Sequence, residues 1–296
     1  MKNIITYILL ILSFYGHASY FNHPNANEVI DELVEVHGFD SAYVKDVFEN
    51  ATKQQKIIDS ISSPAEFTWT WERYKKLFIE DKRIINGKKF IRNNIDTLEK
   101  AEKEFGVPKE IIVAILGVET RYGKIMGSYR VIDSLMTLGF DYPRRSKFFK
   151  DELVKFFLLT RKNNLDIFEI KGSYAGAMGY GQFISSSYMA YAIDFDGDKS
   201  VDLFSSIDDA IGSIANYLKV HGWKRDGKIV SEVYLNNVRE IYKPKDSLSK
   251  FIPLSFNEEG NDLYFIGDDN FIAITKYNRS HFYAMAVYYL SEEYKK

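Results

Sequence analysis

The run Pro108 to Gly123, PKEIIVAILGVETRYG, constrains the fold more than any other stretch of the chain. Pro108 stands where proline is favoured, in the first turn of a helix. The helix it opens is apolar on nearly every side, so it must be surrounded by other elements rather than laid on a surface. The fold is therefore built around it. At its end the run places one carboxylate, Glu119. A half-buried acid without a base is costly unless its pKa rises. A carboxyl held protonated near neutral pH is what a general acid needs. The competing reading is a helix-end glutamate that caps its own turn or pairs with Arg121.

The flanking elements follow from periodicity. Val29, Ile30, Leu33 and Val34 form one helical stripe, and Tyr43, Val44, Val47 and Phe48 form another. Ser62-Ser63-Pro64 breaks the chain. A single amphipathic helix is predicted from Asp81 to Phe105, closed by Gly106 as its C-terminal cap. Ser146 reads as the N-cap of a helix through Leu159, and Asp209 to Val220 as a further helix. Beyond Lys224 short β-like pieces are expected at 228–234, 251–256, 262–267 and 270–276, before helical spacing returns from Ser280 to Tyr294. The N-terminus, MKNIITYILLILSFYGHAS, has a basic start, a short apolar run and small residues at Gly16 and Ala18. Residues 1–18 therefore read as a cleavable signal peptide and imply export, with an uncleaved anchor as the alternative.

Several function classes fall away. The chain has no cysteine, which removes disulfides, thiolate metal sites, a cysteine nucleophile and a lipid-modified cysteine as anchor. Its 39 basic and 41 acidic residues argue against a general nucleic-acid binder. Four glycines crowd Gly172 to Gly181, but neither GxGxxG after a strand nor GK[ST] is present, so nucleotide binding is not indicated. His221 and His281 stand apart, without the paired spacing of a zinc site. The loop DFDGDKSVDLF sets Asp194, Asp196, Asp198, Ser200 and Asp202 at positions 1, 3, 5, 7 and 9 of an EF-hand loop. Position 6 is Lys199 instead of glycine and position 12 is Ser205 instead of glutamate. A structural calcium site and a solvated acidic turn both remain open.

GVETRYG, YPRR at 142–145, GSYAGAMGYGQF at 172–183, the acidic loop, ANYLKVHGW at 215–223 and KYNRSHFYAMAV at 276–287 occur in one order. Together they closely resemble the lytic murein transglycosylase B family, bacterial cell-wall enzymes with a lysozyme-like core, from about residue 66 onward. The resemblance implies that Glu119 is the single catalytic acid. Ser173 and Gln182 fall on substrate-contacting positions with Phe183 beside them. Tyr74, Tyr217, Tyr277 and Tyr283 match the aromatic lining of the glycan cleft, and Asn278 matches a polar contact. Arg144 and Arg145 match a pair that meets the carboxylates of the peptide part. The family closes the acidic loop with a later acid, for which Asp209 or Asp208 serves here. A simple turn residue remains the alternative for Ser173, core packing for each tyrosine and a solvated pair for the arginines.

The expected fold class is α+β, mainly helical: a lysozyme-like core with an N-terminal helical lobe and a small C-terminal β lobe. The expected division is signal peptide 1–18, helical lobe 19–106, catalytic core 107–223 with the EF-hand-like loop, β lobe 224–276 and C-terminal helix 277–296. The expected activity is cleavage of the β-1,4 bond between N-acetylmuramic acid and N-acetylglucosamine, leaving 1,6-anhydromuramoyl ends. A hydrolytic muramidase and an inactive peptidoglycan-binding scaffold are the alternatives. No catalytic cofactor is expected, only the structural calcium left open above. The expected partner is the glycan strand of peptidoglycan, with no nucleic acid and no lipid anchor; cell-wall synthesis or remodelling proteins stay open. The expected location is the periplasm.

Overall fold

The computed structural model describes residues 19–62, 69–232 and 252–296. The signal-peptide reading, the Ser63-Pro64 part of the chain break and the ends of two expected strands (233–234 and 251) lie outside the described residues. The chain divides into two units, Met1–Lys53 and Gln54–Lys296. In the first, α1 (Asn27–Asp31) runs on through a π-helical turn at Glu32–Val36, and α2 (Ser41–Asn50) follows. Asp40 caps α2 by accepting the Tyr43 N–H at 2.9 Å. Of the two stripes, Val29, Leu33, Val44, Val47 and Phe48 are buried, while Ile30 and Val34 are half-buried at the edge and Tyr43 is exposed.

The second unit begins with α3 (Gln55–Ser62), α4 (Trp71–Phe78), α5 (Asp81–Asn93), α6 (Ile95–Phe105) and α7 (Lys109–Thr120). The stretch 81–105 is two helices, because the backbone at Asn94 leaves the helical region (φ −126°, ψ 29°). The Asn94 side chain stabilises the break by donating to the Phe90 carbonyl at 2.8 Å. Gly106 closes α6 in the left-handed conformation, as its position predicts. Pro108 sits at the N-cap of α7 instead of inside its first turn.

After α7 come β1 (Tyr129–Arg130), α8 (Val131–Asp141), α9 (Ser146–Lys162), β2 (Lys171–Gly172), α10 (Ser185–Tyr191) and α11 (Ile207–Val220). Then β3 (Val230–Glu232), β4 (Ile252–Glu258) and β5 (Asn261–Gly267) form an antiparallel sheet in the order β3-β5-β4. The helices α12 (Asp269–Tyr277) and α13 (His281–Lys295) end the chain. Ser146 is the first residue of α9 and not its cap, since its hydroxyl donates across to the Gly139 carbonyl. Residues 270–276, expected as a strand, are helical. Asn270, Phe271, Ala273 and Ile274 are buried together on one side of α12, which packs on α11 and α13.

The helix α7 is enclosed by α5, α6, α11 and α13, and Ile111 to Gly117 and Thr120 are buried. It ends in two successive left-handed residues, Arg121 (φ 50°) and Tyr122 (φ 62°), unusual for side chains of that size. The Tyr122 N–H closes the turn on the Leu116 carbonyl at 3.0 Å. Gly117 leaves room for the Tyr122 ring, because a Cβ there would stand 2.8 Å from its hydroxyl. Downstream, Gly127 (φ 101°) lies so close to β2 that a Cβ would meet the Gly172 backbone at 2.0 Å. The short β1–β2 pair, Tyr129↔Gly172 and Arg130↔Lys171, thus fastens the glycine-rich segment beside the end of α7.

Gly127→Ala should destabilise the fold by about 2 kcal/mol or more, since both the dihedral and the backbone contact are violated. A thermal melt should show a fall of several degrees, whereas Gly222→Ala, whose Cβ would meet nothing within 4 Å, should cost less.

Candidate active site

Glu119 lies half-buried in the last turn of α7. The pairing with Arg121 does not occur: Arg121 donates to Glu80 at 2.8 Å. The turn that follows Glu119 is held from three sides. Arg121 is tied to Glu80, while the Tyr122 hydroxyl bonds the Arg83 carbonyl at 2.7 Å and the Tyr294 hydroxyl at 2.6 Å. Thr120 donates to the Tyr180 carbonyl at 2.9 Å and accepts the Gly123 N–H at 2.9 Å. The helix end and the glycine-rich segment are therefore one hydrogen-bonded body.

Two tyrosines stand against Glu119. Burial pushes the hydroxyls of Tyr277 and Tyr283 well above the usual tyrosine range, and the Glu119 carboxylate is the next cause in both. Both phenols are thus kept neutral, as hydrogen donors. The two rings stack nearly parallel (7°) with centroids 6.4 Å apart. Tyr277 donates to the Gly181 carbonyl at 2.5 Å. The Tyr283 hydroxyl is buried with no partner in full hydrogen-bond geometry, and Glu119 acts on it both by its charge and as a nearby hydrogen-bond acceptor. Tyr74 is also buried, packed on Phe78 and Phe282, and its own hydroxyl is felt at Tyr283.

Tyr277 joins this cluster to an open cleft of about 610 Å³, whose walls include Arg145, Phe148, Gln182, Phe183 and Tyr217. Tyr217 donates to the Lys276 carbonyl at 2.6 Å, and burial raises its pKa to about 12. Phe183 touches the rings of Tyr217 and Tyr277, each at 5.7 Å. Tyr191, not singled out from the sequence, and His221, read there only as an isolated histidine, extend this wall: His221 stacks on Tyr217 at 4.0 Å and Tyr191 meets Tyr217 edge-on at 4.9 Å. The i,i+4 spacing of Tyr217 and His221 on one helix was the available signal. Arg145 lies 4.2 Å over the Phe148 ring, with Arg144 exposed in the same turn. Asn278 is half-buried just past α12.

The polar groups of the glycine-rich segment are set in complementary senses. The Ser173 oxygen accepts the N–H groups of Ala175 (3.2 Å) and Ala177 (3.1 Å), so it is a turn residue whose O–H proton is left to donate. Gln182 has a left-handed backbone (φ 51°), and its amide nitrogen donates to Met126 (3.1 Å) and Gly179 (3.0 Å). Its side-chain carbonyl is left to accept.

In the acidic loop the carboxylates of Asp194, Asp196 and Asp209 lie within 4.8 Å of one another. Asp209 is buried, which raises its pKa, while it accepts the N–H groups of Phe195 (2.7 Å) and Asp202 (2.8 Å). Asp198 lies outside that trio and caps the Ser200 N–H at 2.7 Å. Lys199 takes the left-handed conformation (φ 76°) that the loop asks of its sixth residue. Ser205 bonds Asp202, and Asp208 accepts from Thr97 at 2.5 Å.

The family model described as Transglycosylase SLT domain matches residues 22–292. The membrane-bound lytic murein transglycosylase B of Escherichia coli is 38% identical over 299 aligned positions, covering 92% of this chain and 82% of that protein. The crystal structure of the soluble lytic transglycosylase SltB1 of Pseudomonas aeruginosa superposes with a TM-score of 0.86 at 42% identity, covering 92% of this chain and 98% of that one. The Escherichia coli lytic transglycosylase Slt35 in complex with calcium superposes at 0.83 with 37% identity, covering 93% of each chain.

Tyr283→Phe should leave stability within about 1 kcal/mol, because the hydroxyl it removes is buried without a full hydrogen bond. It should nevertheless slow a reaction run by Glu119 about tenfold, the effect of deleting one donor beside a working carboxylate. A melting curve set beside kcat checks both halves.

Proposed function

The chain belongs to the family of transglycosylase SLT domains and is a lytic murein transglycosylase with a lysozyme-like core, and from that premise we propose that Glu119 alone carries the proton transfers. The reading rests on one observation: Glu119 ends a helix enclosed on all sides, against two neutral tyrosines, one of which lines the cleft. Glycosidases ordinarily place two carboxylates across the scissile bond. Here Glu119 first gives its proton to the glycosidic oxygen as the bond to the anomeric carbon of N-acetylmuramic acid breaks. The 2-acetamido group of the sugar stabilises the oxocarbenium-like centre. Glu119, now ionised, takes the proton of the 6-hydroxyl as that oxygen bonds to the anomeric carbon. The proton is back on Glu119 and the product is the 1,6-anhydro sugar, with no water consumed.

The surrounding residues take binding roles in this reading. The Ser173 hydroxyl donates to, and the Gln182 carbonyl accepts from, the acetamido and hydroxyl groups of the glycan. Tyr217, Tyr277 and Phe183 form the wall on which sugar rings lie, with Asn278 at its edge. Tyr283 acts from beneath it as a neighbour of Glu119, with Tyr74 behind Tyr283. Arg145, with Arg144 beside it, meets peptide carboxylates. The enzyme works in the periplasm on peptidoglycan strands. No described helix is long and apolar enough to cross a membrane.

Calcium is the ion that suits the acidic loop. Three converging carboxylates of hard oxygen character are its preferred donors, and Asp209 is a buried charge that a cation would offset. Asp194, Asp196 and Asp209 would hold it, and Asp198 and Ser200 complete the loop in the reading from EF-hand spacing. Its role is structural, since the proton steps need no metal.

Glu119→Gln should lower turnover of purified murein by about a thousandfold or more while glycan binding persists. Mass spectrometry of the wild-type digest should find anhydromuramoyl ends; reducing muramic ends would replace this mechanism with hydrolysis. Millimolar calcium should raise the melting temperature and a chelator should reverse it; an unchanged melt would return the loop to a solvated acidic turn.

A further inference from the structure

The cleft does not stop at Tyr217. It continues into a second cavity of about 710 Å³, and the two share Ser187, Tyr217, Lys276 and Arg279. Arg145 lines the first and Lys155, His221 and His281 the second, with Lys276 and Arg279 at the junction. Among the described residues, no aspartate or glutamate lines either cavity. The whole chain carries 41 acidic against 39 basic residues, so a groove walled by cations alone departs from its surroundings. Lys155 is near the buried Glu152 at 3.8 Å. Lys276 and Arg279 are exposed, and no ion pair involves them among the described residues. Cations left without partners in a concave wall concentrate the field on whatever enters it.

From this we infer that the Lys155–Lys276–Arg279 wall is a subsite for the carboxylate-bearing peptide arm of a murein strand whose glycan occupies the cleft. The inference rests on the glycan-cleaving reading above and adds to it a specificity element separate from the Arg144–Arg145 pair. While the peptide is attached, the lactyl carboxyl of each muramoyl residue is an amide and the sugars carry no charge, so cations do little for them. The peptide carried on each muramoyl residue has free carboxylates, and guanidinium and ammonium groups are suited to them. The cavity is continuous with the cleft, so an arm can leave the strand and reach the cations without crossing another element. Opposite charges at the surface also speed encounter, an effect that salt removes.

The experiment uses two substrates, peptide-bearing murein strands and the same strands stripped of peptide by an amidase and then capped as the neutral methylamide at the lactyl carboxyl that this frees, with wild type and the K276Q/R279Q double variant. Both side chains are exposed, so a melting curve coincident with wild type is expected, and each single variant serves as a control should the double one melt early. On peptide-bearing strands kcat/KM should fall about tenfold, mainly through KM, for two exposed charge pairs lost, and the gap should close at high salt. On stripped strands the variant should match wild type. Equal losses on both substrates, or no loss on either, would overturn the inference. A wild-type enzyme that left no anhydromuramoyl ends on either substrate would instead overturn the underlying reading.

Discussion

The enclosure of α7 is the constraint on which the rest depends. A helix that is apolar all round gains most when every face is covered, about 25 cal/mol for each Å² removed from water. Four helices do that here. With the sides spoken for, only the end of α7 can present chemistry, and Glu119 stands there. Its direction is then fixed by the turn that follows. Two left-handed, non-glycine residues in a row store strain, and such strain persists only where neighbours over-determine it. The Glu80–Arg121 pair and the Tyr122–Tyr294 contact are those neighbours. In the mechanism proposed above, the carboxylate first gives a proton and then takes one back, and it has to stay in place between the two steps. The turn supplies that fixity from outside the cleft.

Much of this was legible in the sequence because it is local. The apolar run marks α7 as central, Gly106 marks the end of the helix before it, and the short β-like pieces at 251–256 and 262–267 mark β4 and β5. The crowd of glycines marks a segment where backbones approach closely, and Gly127 against Gly172 is that approach. What failed to show was set by tertiary placement. The run FIAITK has the β-branched residues of a strand, and only its seat on α11 and α13 makes it a helix. Asn94 breaks a helix whose apolar stripe continues across the break. In the site, Glu119 stood out from local pattern, whereas Ser173, Gln182 and the tyrosines needed the family resemblance. Glu80 and Tyr294 lie 41 and 172 residues from the partners they hold. No spacing rule reaches that far.

The acidic loop is tied to the proposed site although it lies apart from it. Its last residues do not hang free: the Leu203 carbonyl accepts the Tyr180 N–H at 2.9 Å, and a Cβ on Gly179 would strike that same carbonyl at 2.4 Å. Tyr188 spans the loop, donating to the Val201 carbonyl at 2.7 Å and accepting the Leu203 N–H at 3.3 Å. Gly179 and Tyr180 in turn precede Gln182, whose strained backbone aims its amide, and Tyr180 is the residue whose carbonyl receives Thr120 beside Glu119. Three like charges converging at Asp194, Asp196 and Asp209 tend to spread the loop at its other end. A cation there would remove that repulsion and so draw the Leu203 end firm. The acidic loop, the glycine-rich segment and the helix end that carries Glu119 are linked by single hydrogen bonds in series, so the calcium ion proposed above, which touches no substrate, would set how precisely the cleft is held.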